Sequence, residues 1–214
     1  AATLQIVQKL IQSGGFTDKQ LLILERDPNK KNDRTWCFWE TKTNTQWSEH
    51  IVKEWDNISF RSSSLNLKEK ISPLSYKMMR SASYYSSMRT LIEQHSNIRL
   101  LYEGVVSFEE HESGVRITTN EKSYNTKLFF NSMLDWRAVP QQKRYPVLQQ
   151  HFVGWFIKTQ KPHFDADTAT FMDFTVAQKG STRFMYILPK SDTEALIEYT
   201  LFSKEKLKPA AYER

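Results

Sequence analysis

Two carboxylates set in apolar strands are the residues of this sequence with the best chance of moving a proton. In "ALIEYTLF", residues 195–202, strand alternation puts Glu198 on one face with Leu196, Thr200 and Phe202. In "FMDFTV", residues 171–176, the same alternation groups Asp173 with Phe171 and Thr175. Such neighbours strip water from the charged form and raise a carboxyl pKa, and an acid still protonated near neutral pH can serve as a general acid. The alternation equally allows both acids to face solvent from a half-exposed sheet, so the residues alone leave two readings open.

A second concentration of unusual residues is "DRTWCFWE", residues 33–40, which follows the polar stretch 26–32 and holds the single cysteine of the chain. If the segment is extended, Trp36 and Phe38 point one way and Cys37 and Trp39 the other, so only one pair can face a ligand. Such a cluster serves either as the wall of an apolar site or as an aromatic core. Cys37 reads as a small buried hydrophobe. One cysteine excludes an internal disulfide and suits a reducing compartment. The five histidines show no close ligand spacing and there is no CxxC, so no metal site is expected.

The elements that must hold these residues can be read from periodicity. In residues 1–15, Leu4, Val7, Leu10 and Ile11 recur at helical spacing and Gly14-Gly15 closes the segment. "LLILE", residues 21–25, is a continuous apolar run ending in an acid, as a buried parallel strand does. Helix then strand is the second half of a βαβ unit, which places the first strand and its glycine turn upstream of residue 1. Glu25 follows Ala2, which could fill the last small position of that turn, by 23 residues, against the about 20 that separate glycine turn and ribose-binding acid in dinucleotide folds. Glu25 is therefore either that acid or simply the first polar residue after a strand.

Residues 72–97 place Met78, Ala82, Tyr85, Met88 and Leu91-Ile92 at spacings of three and four, which predicts a second helix. Residues 98–132 then predict a third parallel strand, a β-meander and a fourth inner strand. "DWRAVPQQKRYP", residues 135–146, reads as a connection between lobes. Four strand-like segments at 151–159, 168–177, 182–190 and 194–202 predict an antiparallel sheet. The fold class is therefore mixed α/β (α+β).

With 39% hydrophobic residues in 214, the chain can bury a real core. No apolar run reaches the roughly 18 residues of a membrane helix, and no signal peptide is visible. Thirty basic against 24 acidic residues leave a net charge of +6, scattered along the chain. That balance suits an anionic cofactor, a nucleic acid or an anionic membrane surface. The aromatics stand apart from the basic run "NKKNDR", residues 29–34, so no nucleic-acid partner is expected.

The segments "NDRTWCFWE", "YKMMR" opening a helix, "HFVGWFIKT", "FMDF", "RFMYILP" and "LIEYTLF", in this order, resemble the bacterial type of lycopene β-cyclase over essentially the whole chain. The resemblance implies an FAD/NAD(P)-binding Rossmann-like domain of the aromatic-hydroxylase type, partial, over residues 1–40 and 77–135. It implies an antiparallel β-sheet substrate domain over 41–76 and 136–214. The implied reaction is a redox-neutral intramolecular cyclisation of lycopene and other acyclic carotenoids to β-ionone rings. Reduced FAD would be the cofactor and NAD(P)H the reductant. In this frame "LIEYT" makes Glu198 the proton donor. Tyr199 stands where related plant enzymes carry a second acid, which leaves Asp173 as the acid's partner.

The resemblance further implies flavin contacts from Glu25, Arg34 and Arg80, and a substrate lining of Trp36, Phe38, Trp39 and Tyr199. A cytoplasmic protein bound peripherally to the inner membrane would follow from so apolar a substrate. The family's N-terminal glycine fingerprint and C-terminal region are not matched, so the residues correspond to an interior portion expected to be inactive alone. A related prenyl reductase or hydroxylase of the same fold is the other reading, and product mass separates it from a cyclase.

Overall fold

Glycine ends the first helix where the stripe of apolar residues runs out, and the rest of the chain is mostly strand. The computed structural model describes residues 2–44, 46–133, 144–145 and 147–212. The first elements in chain order are α1 (Ala2–Ser13), β1 (Leu21–Leu24), β2 (Thr35–Thr41), β3 (Ile51–Trp55), β4 (Asn57–Arg61), β5 (Asn66–Lys70) and β6 (Leu74–Arg80). They are followed by α2 (Ser81–Glu93), β7 (Ile98–Leu101), β8 (Val105–His111), β9 (Gly114–Thr119) and β10 (Ser123–Thr126). The last strands are β11 (Gln149–Lys158), β12 (Thr168–Asp173), β13 (Thr182–Pro189) and β14 (Glu194–Ser203). The described residues of Ala1–Arg34 and Ser81–Asp135 form one compact unit, and those of Thr35–Arg80 and Trp136–Arg214 form the other.

In the first unit, Val7 of α1 is buried with Phe16, Ile23, Ile92 and Ile98, and Leu4, Leu10 and Ile11 pack on the same cluster. Gly14 sits at φ 66°, a left-handed stop that a side chain would strain, and its N–H donates to the Ile11 carbonyl at 3.2 Å. β1 pairs in parallel with β7, Leu21 opposite Ile98 through Leu24 opposite Leu101. The expected parallel strand is thus present. β8, β9 and β10 form an antiparallel meander. The expected fourth inner strand is not: residues 128–133 carry no strand, Leu128 and Phe130 are exposed, and no described strand pairs with them.

The predicted second helix is shorter than its periodicity suggested. Residues 74–80 form a strand and the helix begins only at Ser81. β6 lies between β2 and β3 and is buried on both faces from Ser75 to Met79, so it shows no alternation. Its Met and Lys residues, good helix formers, mimic a helical start. "YKMMR" therefore ends a strand.

The second unit holds two sheets. β2, β6 and β3 make a three-stranded antiparallel sheet, and β11-β14-β13-β12-β4-β5 makes a six-stranded one in which only β12 and β4 run parallel. Their shared core is Trp55, Tyr76 and Met78 against Ala169, Leu188 and Leu196. Trp55 is 1% exposed, and its indole N–H donates to the Pro189 carbonyl at 2.9 Å, so the polar edge of the ring is satisfied where the rest is buried. Residues 135–146, expected to connect two lobes, lie outside the described residues apart from 144–145.

On its other face β6 carries an ion pair. Lys77 donates to Glu40 Oε2 at 3.0 Å and to the Asn44 carbonyl at 3.1 Å, with side chains only 5% and 12% exposed for Lys77 and Glu40. Removing one partner strands the other charge. Glu40→Ala should therefore lower the unfolding free energy by about 3–5 kcal/mol. Glu40→Leu combined with Lys77→Met should recover most of it, and urea denaturation of the two variants is the measurement.

Candidate active site

The site is assembled on the face of the six-stranded sheet that meets β6. Glu198 of β14 lies opposite Tyr186 of β13 and Gly154 of β11, and cross-strand partners share a face. On that face the rings form a continuous series. Phe171 meets Tyr186 at 5.9 Å and Tyr76 at 5.7 Å, and Trp39 meets Tyr76 at 4.7 Å and Phe171 at 5.3 Å, all between ring centroids. Cys37 packs on the same cluster.

Burial raises the Glu198 carboxyl above its ordinary value, since its charged form loses water and no described residue pairs a cation with it. The charge of Glu198 is felt by its neighbours in turn. Burial pushes the Cys37 thiol up to about 12; a hydrogen bond from the Tyr76 hydroxyl offsets this in part, and Glu198 adds to it. Tyr76 and Tyr186 are both raised, first by burial, with smaller contributions from Glu198 and Cys37. Cys37, Tyr76 and Tyr186 therefore stay neutral beside Glu198 and offer it S–H, O–H and ring faces. Cys37 is an inert thiol here. Thr200, two residues along the same face, is buried, and its hydroxyl finds no partner among the described residues.

Asp173 stands elsewhere. The β12–β13 ladder shifts register between Thr170 and Asp173, and this bulge sets Asp173 opposite Met185, which in turn lies opposite Tyr199. Simple alternation from Phe171 therefore fails, and Asp173 falls on the face away from Glu198. Its Oδ1 accepts from Thr175 N–H at 2.9 Å and Thr175 Oγ1 at 2.6 Å, and Oδ2 pairs with Arg61 at 3.4 Å. It closes a turn as a hydrogen-bond acceptor and is not gathered with Glu198. Tyr199 is likewise on the far face, because it adjoins Glu198 on a strand; its hydroxyl accepts from Arg183 Nη1 at 3.1 Å.

β2 is extended, so one set of its aromatics had to lose. Trp39 and Cys37 face the cluster, opposite Tyr76 and Met78 of β6, while Trp36 and Phe38 lie on the other side of the small sheet, opposite Met79 and Lys77. Trp36 and Phe38 thus do not line the same wall as Trp39. Arg80 is the last residue of β6 rather than the start of a helix, and its guanidinium lies 5.3 Å over the ring of Phe156.

The other unit offers a separate cleft of about 130 Å³ lined by Glu25, Lys30, Tyr85 and Arg89, among others. Glu25 follows the last residue of β1, its N–H donating to the Leu101 carbonyl at 3.0 Å. Its Oε1 accepts from the Asp27 N–H at 3.1 Å, and its Oε2 pairs with Lys30. Arg89 donates to the Lys30 carbonyl at 3.3 Å, and Lys30 stands 5.7 Å over the Tyr85 ring. Lys30, Tyr85 and Arg89 were not singled out from the sequence as site residues. The helical spacing of Tyr85 and Arg89, four apart, was the one signal that could have grouped two of them. Arg34 extends an exposed guanidinium near Asp33, and its backbone is tied to Ser81 by bonds of 3.1 and 3.0 Å.

Comparison with known proteins gives the chain its relatives. The family model described as lycopene cyclase protein matches residues 1–214. A stretch of 81 residues is 38% identical to a lycopene beta-cyclase of Paracoccus sp., covering 38% of this chain and 21% of that relative. A flavin-dependent halogenase from Xanthomonas campestris aligns with a TM-score of 0.59 at 8% identity, over 91% of this chain and 52% of that one. A flavoprotein/dehydrogenase from Cytophaga hutchinsonii gives 0.55 at 10% identity, over 95% and 53%. The halogenase PltM, solved with phloroglucinol and FAD, gives 0.52 at 8% identity, over 78% and 39%. At such identities the likeness is one of fold, and it agrees with a partial fold of the flavoenzyme type. The chain spans about half the length, or less, of the proteins it matches.

The raised carboxyl makes a stability prediction of definite sign. A folded pKa above the unfolded one means that the folded state binds the proton more tightly, so stability is fully present below the unfolded pKa and is lost as pH rises through the folded value. Glu198→Gln, which cannot ionise, should match the wild type in thermal midpoint at low pH and exceed it once the pH passes the folded-state pKa of Glu198.

Proposed function

The chain belongs to the lycopene cyclase family, and from that premise we propose that Glu198 is the proton donor of a carotenoid cyclase. One observation carries the reading: a half-buried carboxyl with a raised pKa faces a series of rings and neutral hydroxyls, with no cation paired to it among the described residues. Such an acid keeps its proton at a pH where an exposed glutamate has lost it. The reaction that fits begins with protonation of a terminal alkene of an acyclic carotenoid, continues with capture of the tertiary cation by an internal alkene, and ends with loss of a proton. Hydrogens gained and lost balance, so the substrate is isomerised.

Trp39, Tyr76, Phe171 and Tyr186 supply the wall. The negative face of an aromatic ring attracts a cation while offering no lone pair to trap it. Asp173 and Tyr199 are assigned to holding the sheet, through Arg61 and Arg183 respectively.

FAD is the cofactor this reading calls for, and the first unit fits the ribose end of it. Glu25 at the end of a parallel strand offers a carboxylate to ribose hydroxyls, and Lys30, Arg89 and the exposed Arg34 offer cations to phosphate. Bound in reduced form, with NAD(P)H as reductant, a flavin would supply an electron-rich ring able to stabilise positive charge. A carotenoid is dissolved in lipid. No helix among the described residues is long and apolar enough to cross a membrane, so contact with the bilayer is proposed to be peripheral.

The test is product analysis with the complete enzyme in cells that accumulate lycopene. The wild type should give a cyclic product of unchanged mass. Glu198→Gln should cut its formation by about 100-fold or more while retaining bound flavin. A product altered by hydrogen or oxygen would place the chain's activity with the redox flavoenzymes, and an active Glu198→Gln would remove the acid assignment.

A further inference from the structure

One position on the edge strand β11 is filled in a way its backbone does not require. Gly154 lies directly opposite Glu198 in the β11–β14 ladder. Its φ is outside the left-handed region, which only Gly14, Gly114 and Gly180 occupy among the described glycines, so any residue suits the backbone there. Glycine inside a strand weakens it, for want of a side chain to pack, and often marks a close approach. Here the approach is to Glu198. A Cβ at residue 154 would stand 3.2 Å from Glu198 Cγ, 3.5 Å from its Oε1 and 3.4 Å from Leu196 Cδ1. The first distance is tighter than ordinary packing, so the acid would have to shift.

The same edge is open. Gly154 is exposed, and two residues to either side Phe152 and Phe156 share its face and are 57% and 60% exposed. Along β11 the face thus reads ring, gap, ring, with the carboxyl of Glu198 behind the gap.

We infer that Gly154 is a positioning residue whose missing side chain holds Glu198 in place and open to the unsaturated end of an apolar chain seated between Phe152 and Phe156. The inference rests on Glu198 being the proton donor. In the step it serves, the O–H bond of Glu198 breaks as the alkene's π pair forms the new C–H bond; after ring closure a C–H bond of the cation breaks to give the ring alkene, its proton passing to water or back to the Glu198 carboxylate. A methyl group in the gap displaces the acid and also covers it from solvent. Phe152 and Phe156 guide the chain and take no part in the proton transfer.

The experiment compares Gly154→Ala, Glu198→Gln and the wild type in the complete enzyme, reading kcat and KM across pH, and adds a thermal double-mutant cycle between Gly154→Ala and Glu198→Ala. The expected result is a kcat lowered tenfold or more in Gly154→Ala, with the alkaline limb of its pH profile moved upward. In the cycle, the alanine at 154 should lower the midpoint when Glu198 is present and raise it when that side chain is gone. Gly154→Ala with wild-type kcat and pH profile, beside an inactive Glu198→Gln, would overturn the inference and leave the acid standing. An active Glu198→Gln would overturn the acid and the inference together. If Gly154→Ala folds poorly, the cycle still decides: a midpoint change that is the same with and without the Glu198 side chain also overturns the inference.

Discussion

Desolvation of one carboxyl is the constraint on which the second unit turns. Glu198 faces Tyr186, in a seam that Phe171, Tyr76 and Trp39 continue toward the small sheet, and that seam exists because β6 packs its Tyr76 and Met78 onto Ala169, Leu188 and Leu196. The wall that dries the acid and the wall that would stabilise a cation are the same rings. Separating the two roles by mutation is therefore difficult at Tyr76 and Tyr186, and it is Glu198 itself and its neighbour across the ladder that give clean tests.

The opposite surface of the same sheet is built on contrary terms. Asp173 and Tyr199, each one strand position or one bulge away from the acid's face, are paired with Arg61 and Arg183. A carboxyl held by a cation and two hydrogen bonds is committed to the turn and the sheet. Two acids in strands of similar composition thus acquire different chemistry from the side of the sheet on which they fall.

Much of this was legible in the sequence, and the failures have physical causes. The α1 stripe, the parallel pair containing "LLILE" and the four C-terminal strands follow from periodicity, which burial on one face imposes. The face on which Glu198 falls was legible because alternation holds along β14. Asp173 was misplaced because a bulge adds a residue without leaving a mark in the sequence. β6 was read as helix because a strand covered on both faces loses its alternation. Gly154 carried no signal, since a strand glycine declares its purpose only when its cross-strand partner is known. The cleft around Glu25 was half legible: the acid ends an apolar run, but Arg89 reaches it from a helix remote in sequence.

Burial of Glu198 should keep its carboxyl protonated at a pH where an exposed glutamate is ionised. Infrared difference spectroscopy across pH, comparing the complete protein with its Glu198→Gln variant, measures this directly through the carbonyl band of the carboxylic acid. A band absent from the variant should persist to higher pH than that of a solvent-exposed glutamate. A Glu198 band lost at the pH of a solvent-exposed glutamate would contradict it.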